Sequence, residues 1–318
     1  MEIEEILPKV KDRCEKFFDA FNDWNIIIRG ATATWKSKLS LLLSEFFDVE
    51  LISADSRQIF RWMDIWTDKV PLEWRNKVPH HQIDIVNPDE KYTAWQRKVD
   101  VEREVEEILW RKKHPIIVWW TGLYIDTIYK NFLMPECPPN YEYRDELENK
   151  EKSNPWFVYD MLKKIDPQEA SKLHPNATRY IIRALEIYHE IGKTKTELFL
   201  HQPVTHPLLM IWLWREKEET NSRINLRIKE MIKSWLVDEV QWLLNQWYKS
   251  DLQSMQWIWY KEVIGYLQWD YDAEMMEELL NFNTQHLAKR QRTWFRRYIA
   301  EWEQSPRENV EYEVYRLN

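Results

Sequence analysis

Apolar positions along the chain follow two periods. Residues 1–24 place Ile6, Val10, Phe17 and Phe21 at helical spacing and predict one amphipathic helix. Residues 25–29 (NIIIR), 49–53 (VELIS), 115–118 (PIIV) and 208–213 (LLMIWL) are short apolar runs, the pattern of strands buried on both faces. Between them, residues 38–47 and 102–113 read as helices, and residues 121–129 begin another. Strands alternating with helices predict a parallel α/β sheet with helices on both faces. The alternation stops between Pro135, Pro138 and Pro139 and the pair Pro203 and Pro207, where helical patterns such as 178–190 dominate. A helical insertion domain over 136–206 is expected, interrupting a core of 1–135 and 207–318. Long helices over about 217–247, 258–268 and 272–302 follow, then a last strand near 310–316.

The 318 residues, 44% hydrophobic, are enough for one sizeable core with an added lobe. A net charge of −8 excludes a uniformly basic protein that coats nucleic acid, but not a local basic track. Two cysteines, Cys14 and Cys137, make neither a zinc cluster nor a disulfide framework and fit a reducing cytoplasm. The N-terminal stretch is broken by charges, unlike a signal peptide, and no apolar run reaches the ~18 residues of a membrane span. One number is abnormal: there are 4 Gly and 20 Trp. Average usage predicts roughly 22 glycines in a chain of this size. The two residue types together approach that figure, so most tryptophans stand in glycine's place.

Residues 30–37 read GATATWKS between a predicted strand and a predicted helix. The pattern is that of a phosphate-binding loop, G-x-x-x-x-G-K-[ST], with Trp35 at the second glycine. Such a loop aims backbone N–H groups and the positive end of a helix at an anion. Lys36 adds a point charge and Ser37 a hydroxyl for Mg²⁺. An indole at position 35 defeats the design, because the site needs open backbone and a left-handed φ. Tryptophan recurs in turn-like contexts such as KSWL (233–236), NQWY (245–248) and LQWD (267–270), which are glycine's usual places at helix ends.

With these segments placed, the chain resembles the tRNA dimethylallyltransferase family over nearly its whole length. The resemblance is carried by ISADSRQIF (52–60), RWMDIWTDK (61–69), VPHHQIDIVNP (78–88), YTAWQ (92–96), WWTGLYIDTI (119–128), HPNATRYIIRALEIY (174–188), RINLRI (223–228), MQWIWYKE (255–262) and LAKRQRTWFRR (287–297), in that order. The family has glycine at Trp35, Trp62, Trp66, Trp95, Trp119, Trp120, Trp235, Trp247 and Trp259, whereas Trp294 matches a family tryptophan. Departures concentrated in one exchange point to a source that reads UGA as glycine and a translation that reads it as tryptophan. Decay of an inactive gene would instead scatter changes over all residue types; the competing explanations are deliberate substitution and a relative that has lost its catalytic site.

The resemblance implies transfer of a dimethylallyl group from its diphosphate to N6 of an adenosine in the tRNA anticodon loop. The diphosphate would be held by Gly30, Thr32, Ala33, Thr34, Trp35 (as glycine), Lys36, Ser37 and Arg223, with Mg²⁺ at Ser37. Asp55 takes the family's general-base position, and Thr121 its place beside the reacting amine. Asp55, Ser56, Arg57, Gln58 and Thr121 match the stretch that meets the target base. Phe60 and Arg97 depart from the family's usual tyrosine and aromatic residue. The helix with His286, Lys289, Arg290, Arg292, Trp294, Arg296 and Arg297 offers cations for phosphates and rings for bases. Arg144, Arg179 and Arg183 are further candidates for tRNA contact. His80, His81 and Asp84 match no closed metal cluster. Partners are thus tRNA and dimethylallyl diphosphate, with no membrane, and a monomer is expected. The competing classes are a small-molecule kinase, an adenylate prenyltransferase, and a tRNA-binding protein without catalysis.

Overall fold

The computed structural model describes residues 3–65, 67–119, 127–200, 202–304 and 306–317. Six parallel strands form one sheet in the order β3-β2-β4-β1-β5-β6: β1 Asn25–Gly30, β2 Val49–Ser53, β3 His80–His81, β4 His114–Trp119, β5 Leu208–Arg215 and β6 Val310–Leu317. Central β1 pairs Ile27 with Ile117 of β4 and with Met210 of β5. Ile26, Ile27 and Ile28 are fully buried, which is why this strand is apolar without alternation. The two-residue β3 carries no apolar run and gave no signal in the sequence.

Helix α1 (Ile3–Ala20) buries Ile3, Ile6, Val10, Cys14 and Phe17 along one stripe. That stripe joins Leu39 and Leu43 of α2 (Lys36–Leu43) and the apolar face of β1 and β5 in one cluster. Arg13 of α1 pairs with Glu311 of β6, tying the N-terminal helix to the edge strand. After α3 (Leu72–Lys77) comes α4 (Ala94–Trp110), which starts well before the expected 102. A capping box sets that start: Thr93 Oγ1 accepts from the Gln96 N–H, and the Thr93 N–H donates to Gln96 Oε1.

The expected helix over 217–247 is two helices, α10 (Lys217–Lys233) and α11 (Leu236–Asn245). The break falls at Trp235, whose φ of 73° lies in the left-handed region and cannot continue a helix. Helices α12 (Tyr260–Leu267) and α13 (Ala273–Gln304) follow. Their buried faces form a second apolar cluster that takes in Ile59, Phe60 and Met63 from the loop after β2.

Residues 126–203 form a separate compact unit. It begins before the expected 136, because Phe132 stacks on Phe199 and the Gln202 N–H donates to Lys130 O. Within it, α5 (Tyr141–Ser153), α6 (Phe157–Ile165), α7 (Pro167–Lys172) and α8 (Thr178–Ile191) surround Leu147, Val158, Leu162, Ile181 and Leu185, while α9 (Lys195–Leu198) packs Leu198 with Cys137 and Ile187. At its polar centre the fully buried Glu186 accepts two bonds of 2.8 Å from Arg144, and further bonds from Arg183 and the Asn140 N–H.

Candidate active site

The loop between β1 and α2 is where the sheet opens at its carboxyl edge. Gly30 is required there: an added Cβ would lie 2.5 Å from Thr34 Oγ1 and 2.6 Å from Leu213 O. Ala33 and Trp35 both have φ of 62°. Left-handed residues at alternate positions turn successive N–H groups toward one side, the geometry of an anion-binding nest. Thr34 Oγ1 donates to Ala31 O at 2.8 Å, and the Thr32 N–H donates to Gln291 Oε1 of α13 at 2.9 Å.

Lys36 is 4% exposed and donates to Ala31 O at 2.8 Å. Burial pushes its ammonium down to about 7, and the Arg227 charge acts in the same direction. Ser37 stands half-buried in the first turn of α2. Three more arginines gather at the loop. The Arg223 guanidinium lies 3.8 Å from the centre of the Trp35 ring, and that of Arg215 lies 4.7 Å from it. Arg227, one helical turn beyond Arg223, donates to Thr32 Oγ1 at 3.3 Å and sits 3.2 Å from Asp68. The Lys38 ammonium is 5.2 Å from the same indole. The Trp35 ring therefore occupies the middle of a ring of cations.

Asp55 follows β2 and is 5% exposed. Its Oδ1 accepts from the Arg57 N–H at 2.8 Å. Burial raises its carboxyl above the ordinary value, against that hydrogen bond and the charges of Arg57, Arg97 and Lys36. The Arg57 guanidinium lies 3.1 Å from the Trp257 ring centre. Gln58 is committed inward: its Oε1 accepts from Ser53 Oγ at 2.6 Å, and its Nε2 donates to Thr67 O and Asp68 O. Its amide ties Ser53 to the turn at residues 67–68. Thr121, with Trp120, lies outside the described residues.

The same loop is braced from below. Lys69, its side chain 2% exposed, reaches Phe60 O, Asp64 and Asp84, and Arg75 pairs with Asp84 at 2.7 Å. Glu239 of α11 accepts from the N–H groups of Asp64 and Ile65 and from Tyr260 Oη. His81 lies between Glu50 and Glu104, 2.7 and 2.9 Å away, and His80 Nδ1 meets Val78 O. His80, His81 and Asp84 thus serve local structure.

On α13, His286, Lys289, Arg290, Trp294, Arg296 and Arg297 are exposed, whereas Arg292 is only 8% exposed. Burial lowers the Arg292 pKa, and the neighbouring Arg296 charge adds to it. In the 126–203 unit, Arg144 and Arg183 are turned to Glu186. Sequence reasoning missed Arg215, Arg227, Gln291, Lys69 and Glu239. Arg227 alone had a signal, its spacing of four from Arg223 on one helix face.

Of the fourteen non-glycine residues with positive φ among the described residues, seven are tryptophans: 35, 62, 156, 235, 247, 259 and 269. That excess sets tryptophan apart from every other side chain here, since a bulky residue rarely adopts this backbone. Trp35, Trp156, Trp235 and Trp259 each stand immediately before a helix. Trp95 differs: it lies in the first turn of α4, where the backbone makes no such demand. Trp66 is outside the described residues.

Residues 58–298 match the family model described as IPP transferase. The chain is 43% identical to a tRNA dimethylallyltransferase of Halothermothrix orenii over 87% of this chain and 85% of that one. It is 42% identical to one of Thermotoga petrophila, over 86% and 89%. Among solved structures, it resembles the tRNA isopentenylpyrophosphate transferase of Bacillus halodurans (34% identity, 93% and 90% coverage, TM-score 0.64). It also resembles a eukaryotic dimethylallyltransferase described as acting on tRNA (28% identity, 92% and 74% coverage, TM-score 0.78).

Proposed function

Because this chain belongs to the IPP transferase family, we infer that it transfers a dimethylallyl group from dimethylallyl diphosphate to N6 of an adenosine beside the tRNA anticodon. The observation that carries the mechanism is the pairing of a cationic phosphate loop with a buried carboxylate at the same sheet edge. The donor's diphosphate lies in the nest of residues 31–36. Lys36 and Arg223 draw off the charge that grows as the C1–O bond breaks. The leaving diphosphate keeps the electron pair, and the N6 lone pair forms the new bond to C1. Asp55 takes the N6 proton, which an aryl amine with a delocalised lone pair must lose.

The Ser37 hydroxyl is a hard oxygen donor at the first turn of α2 and would be the protein's ligand to Mg²⁺. A bound magnesium ion would add positive charge against the leaving group. Ser56 and Arg57 belong to the target-base side, and Thr121 is assigned there with them. The exposed cations of α13 and Trp294 form the track for the anticodon arm, and the target base must leave its stack to reach Asp55. The protein is expected to act as a monomer in the cytoplasm, and no helix among the described residues is long and apolar enough to cross a membrane.

Two forms of the protein have different capacities. With glycine at position 35 and its companions, as a UGA-as-glycine code would give, the nest is open. With tryptophan, the indole stands among Arg223, Arg215 and Lys38, and the chain is a tRNA-binding relative without a diphosphate site. The left-handed backbone at seven tryptophans supports the glycine form. Peptide mass spectrometry of the protein made in its own source decides between them. Incubating that protein with labelled dimethylallyl diphosphate and either tRNA or AMP tests the activity: label in tRNA alone is expected. Label in AMP alone would make it an adenylate prenyltransferase.

A further inference from the structure

A buried charge beside Asp55 belongs neither to the phosphate loop nor to the target-base stretch. Arg97 enters from the first turn of α4, whose start is fixed by the capping box at Thr93. It is 1% exposed. Its Nη2 donates to Ser53 O at 2.5 Å and to Asp55 O at 3.1 Å. One carbonyl ends β2 and the other lies two residues beyond it, on Asp55 itself.

An apolar side chain would pack α4 against β2 without the desolvation cost of a guanidinium. What Arg97 adds is direction, through two carbonyls, and charge. The groups that bear on the Asp55 carboxylate are the Arg57 N–H and guanidinium from its own loop, Arg97 from α4, and Lys36 from the phosphate loop. In the reaction above, Lys36 is drawn to the diphosphate, whose negative charge offsets it, and Arg57 faces the target base. Arg97 is held by the Ser53 and Asp55 carbonyls in a buried position, on an element apart from both the phosphate loop and the target-base stretch.

We propose that Arg97 is a positioning residue for prenyl transfer: it fixes the backbone that carries Asp55 and supplies a constant positive charge to its carboxylate through the whole cycle. The inference rests on Asp55 being the base. Without Arg97, burial and a bound diphosphate would both favour the protonated carboxyl, which cannot accept the N6 proton.

The test is a carboxyl ¹³C NMR titration of Asp55, its signal identified by its loss in Asp55→Asn. It is run on the parent protein, Arg97→Gln, Arg97→Met and Arg97→Lys. The titration needs no turnover, so it reads the inference whichever residue stands at position 35. Arg97→Gln and Arg97→Met should move the Asp55 midpoint upward by about one pH unit, and Arg97→Lys should leave it near the parent value. In active protein the acid limb of kcat should move with it, while KM for dimethylallyl diphosphate stays unchanged. An unmoved midpoint in folded Arg97→Gln, whatever happens to kcat, overturns the proposal. Retained prenyl transfer in Asp55→Asn would instead refute the base assignment while leaving the titration result standing.

Discussion

Replacing Trp35 by glycine tests the phosphate site most directly. The residue's φ of 62° costs a non-glycine side chain about 1–2 kcal/mol, which glycine would recover. The indole's interactions with Arg223 and Lys38 are worth about 0.5–1 kcal/mol each, and the one with the buried Arg215 about 2 kcal/mol. The lost contacts exceed the backbone gain by about 1–3 kcal/mol, so the ligand-free melting temperature should fall by several degrees, at roughly 2–4 °C per kcal/mol. Anion binding should change far more. Charge-assisted hydrogen bonds from Lys36 and Arg223 are worth about 1.5–3 kcal/mol each. Their sum, about 3–6 kcal/mol, is a factor of ~10² to 10⁴ in affinity. Isothermal titration with dimethylallyl diphosphate, in the parent and in the Trp119→Gly/Trp120→Gly background, should show at least ~10²-fold tighter binding once Trp35→Gly is added. Equal affinity with and without the indole in both backgrounds would refute the claim that it fills the anion's place.

Asp55→Asn should lower prenyl transfer by about 10² to 10⁴ while leaving diphosphate affinity unchanged, as single-turnover kinetics and titration would show. Because burial raises the Asp55 carboxyl, transfer should be fully present at higher pH. It should fall away on acidification through a midpoint above the ordinary value of 3.8, which a pH–rate profile would locate. Glu186→Gln should destabilise the 126–203 unit by about 3–5 kcal/mol, seen as faster hydrogen exchange confined to that unit, since two arginines lose their buried counter-charge. Burial works to raise the Glu186 carboxyl, but the bonds from Arg144, Arg183 and the Asn140 N–H outweigh it and hold it below 4.5. Its stabilising contribution should therefore be complete above that value and disappear as pH falls through the lowered one. Lys289→Ala, Arg290→Ala and Arg296→Ala together should weaken tRNA binding. The log–log salt dependence should flatten by about 0.7 for each single-strand phosphate that no longer meets a cation. An unchanged slope in a filter-binding series would remove α13 from the tRNA track.

The sequence by itself determined every strand but the two-residue β3, and the loop chemistry. Apolar runs such as NIIIR are dictated by burial on both faces of a parallel sheet, and they sit where β1, β2, β4 and β5 form. The phosphate-loop spacing around Lys36 and the anomaly of tryptophan in turn contexts were legible because backbone conformation is a local property. Where the chain must turn left-handed is written in a few consecutive residues, as Trp35, Trp235 and Trp247 illustrate. Only the tertiary structure decided which cations meet at the site. Arg215 comes from β5, Arg227 from α10, Gln291 from α13 and Arg97 from α4, and no local rule links residues so far apart in the chain. It also sorted basic residues by their partners: Arg144 and Arg183 turn inward to Glu186, Arg292 is buried, and Lys289 and Arg290 remain in solvent. A charged side chain has the same composition in all three settings. Its role depends on the desolvation and counter-charge around it, and those exist only once the helices have packed.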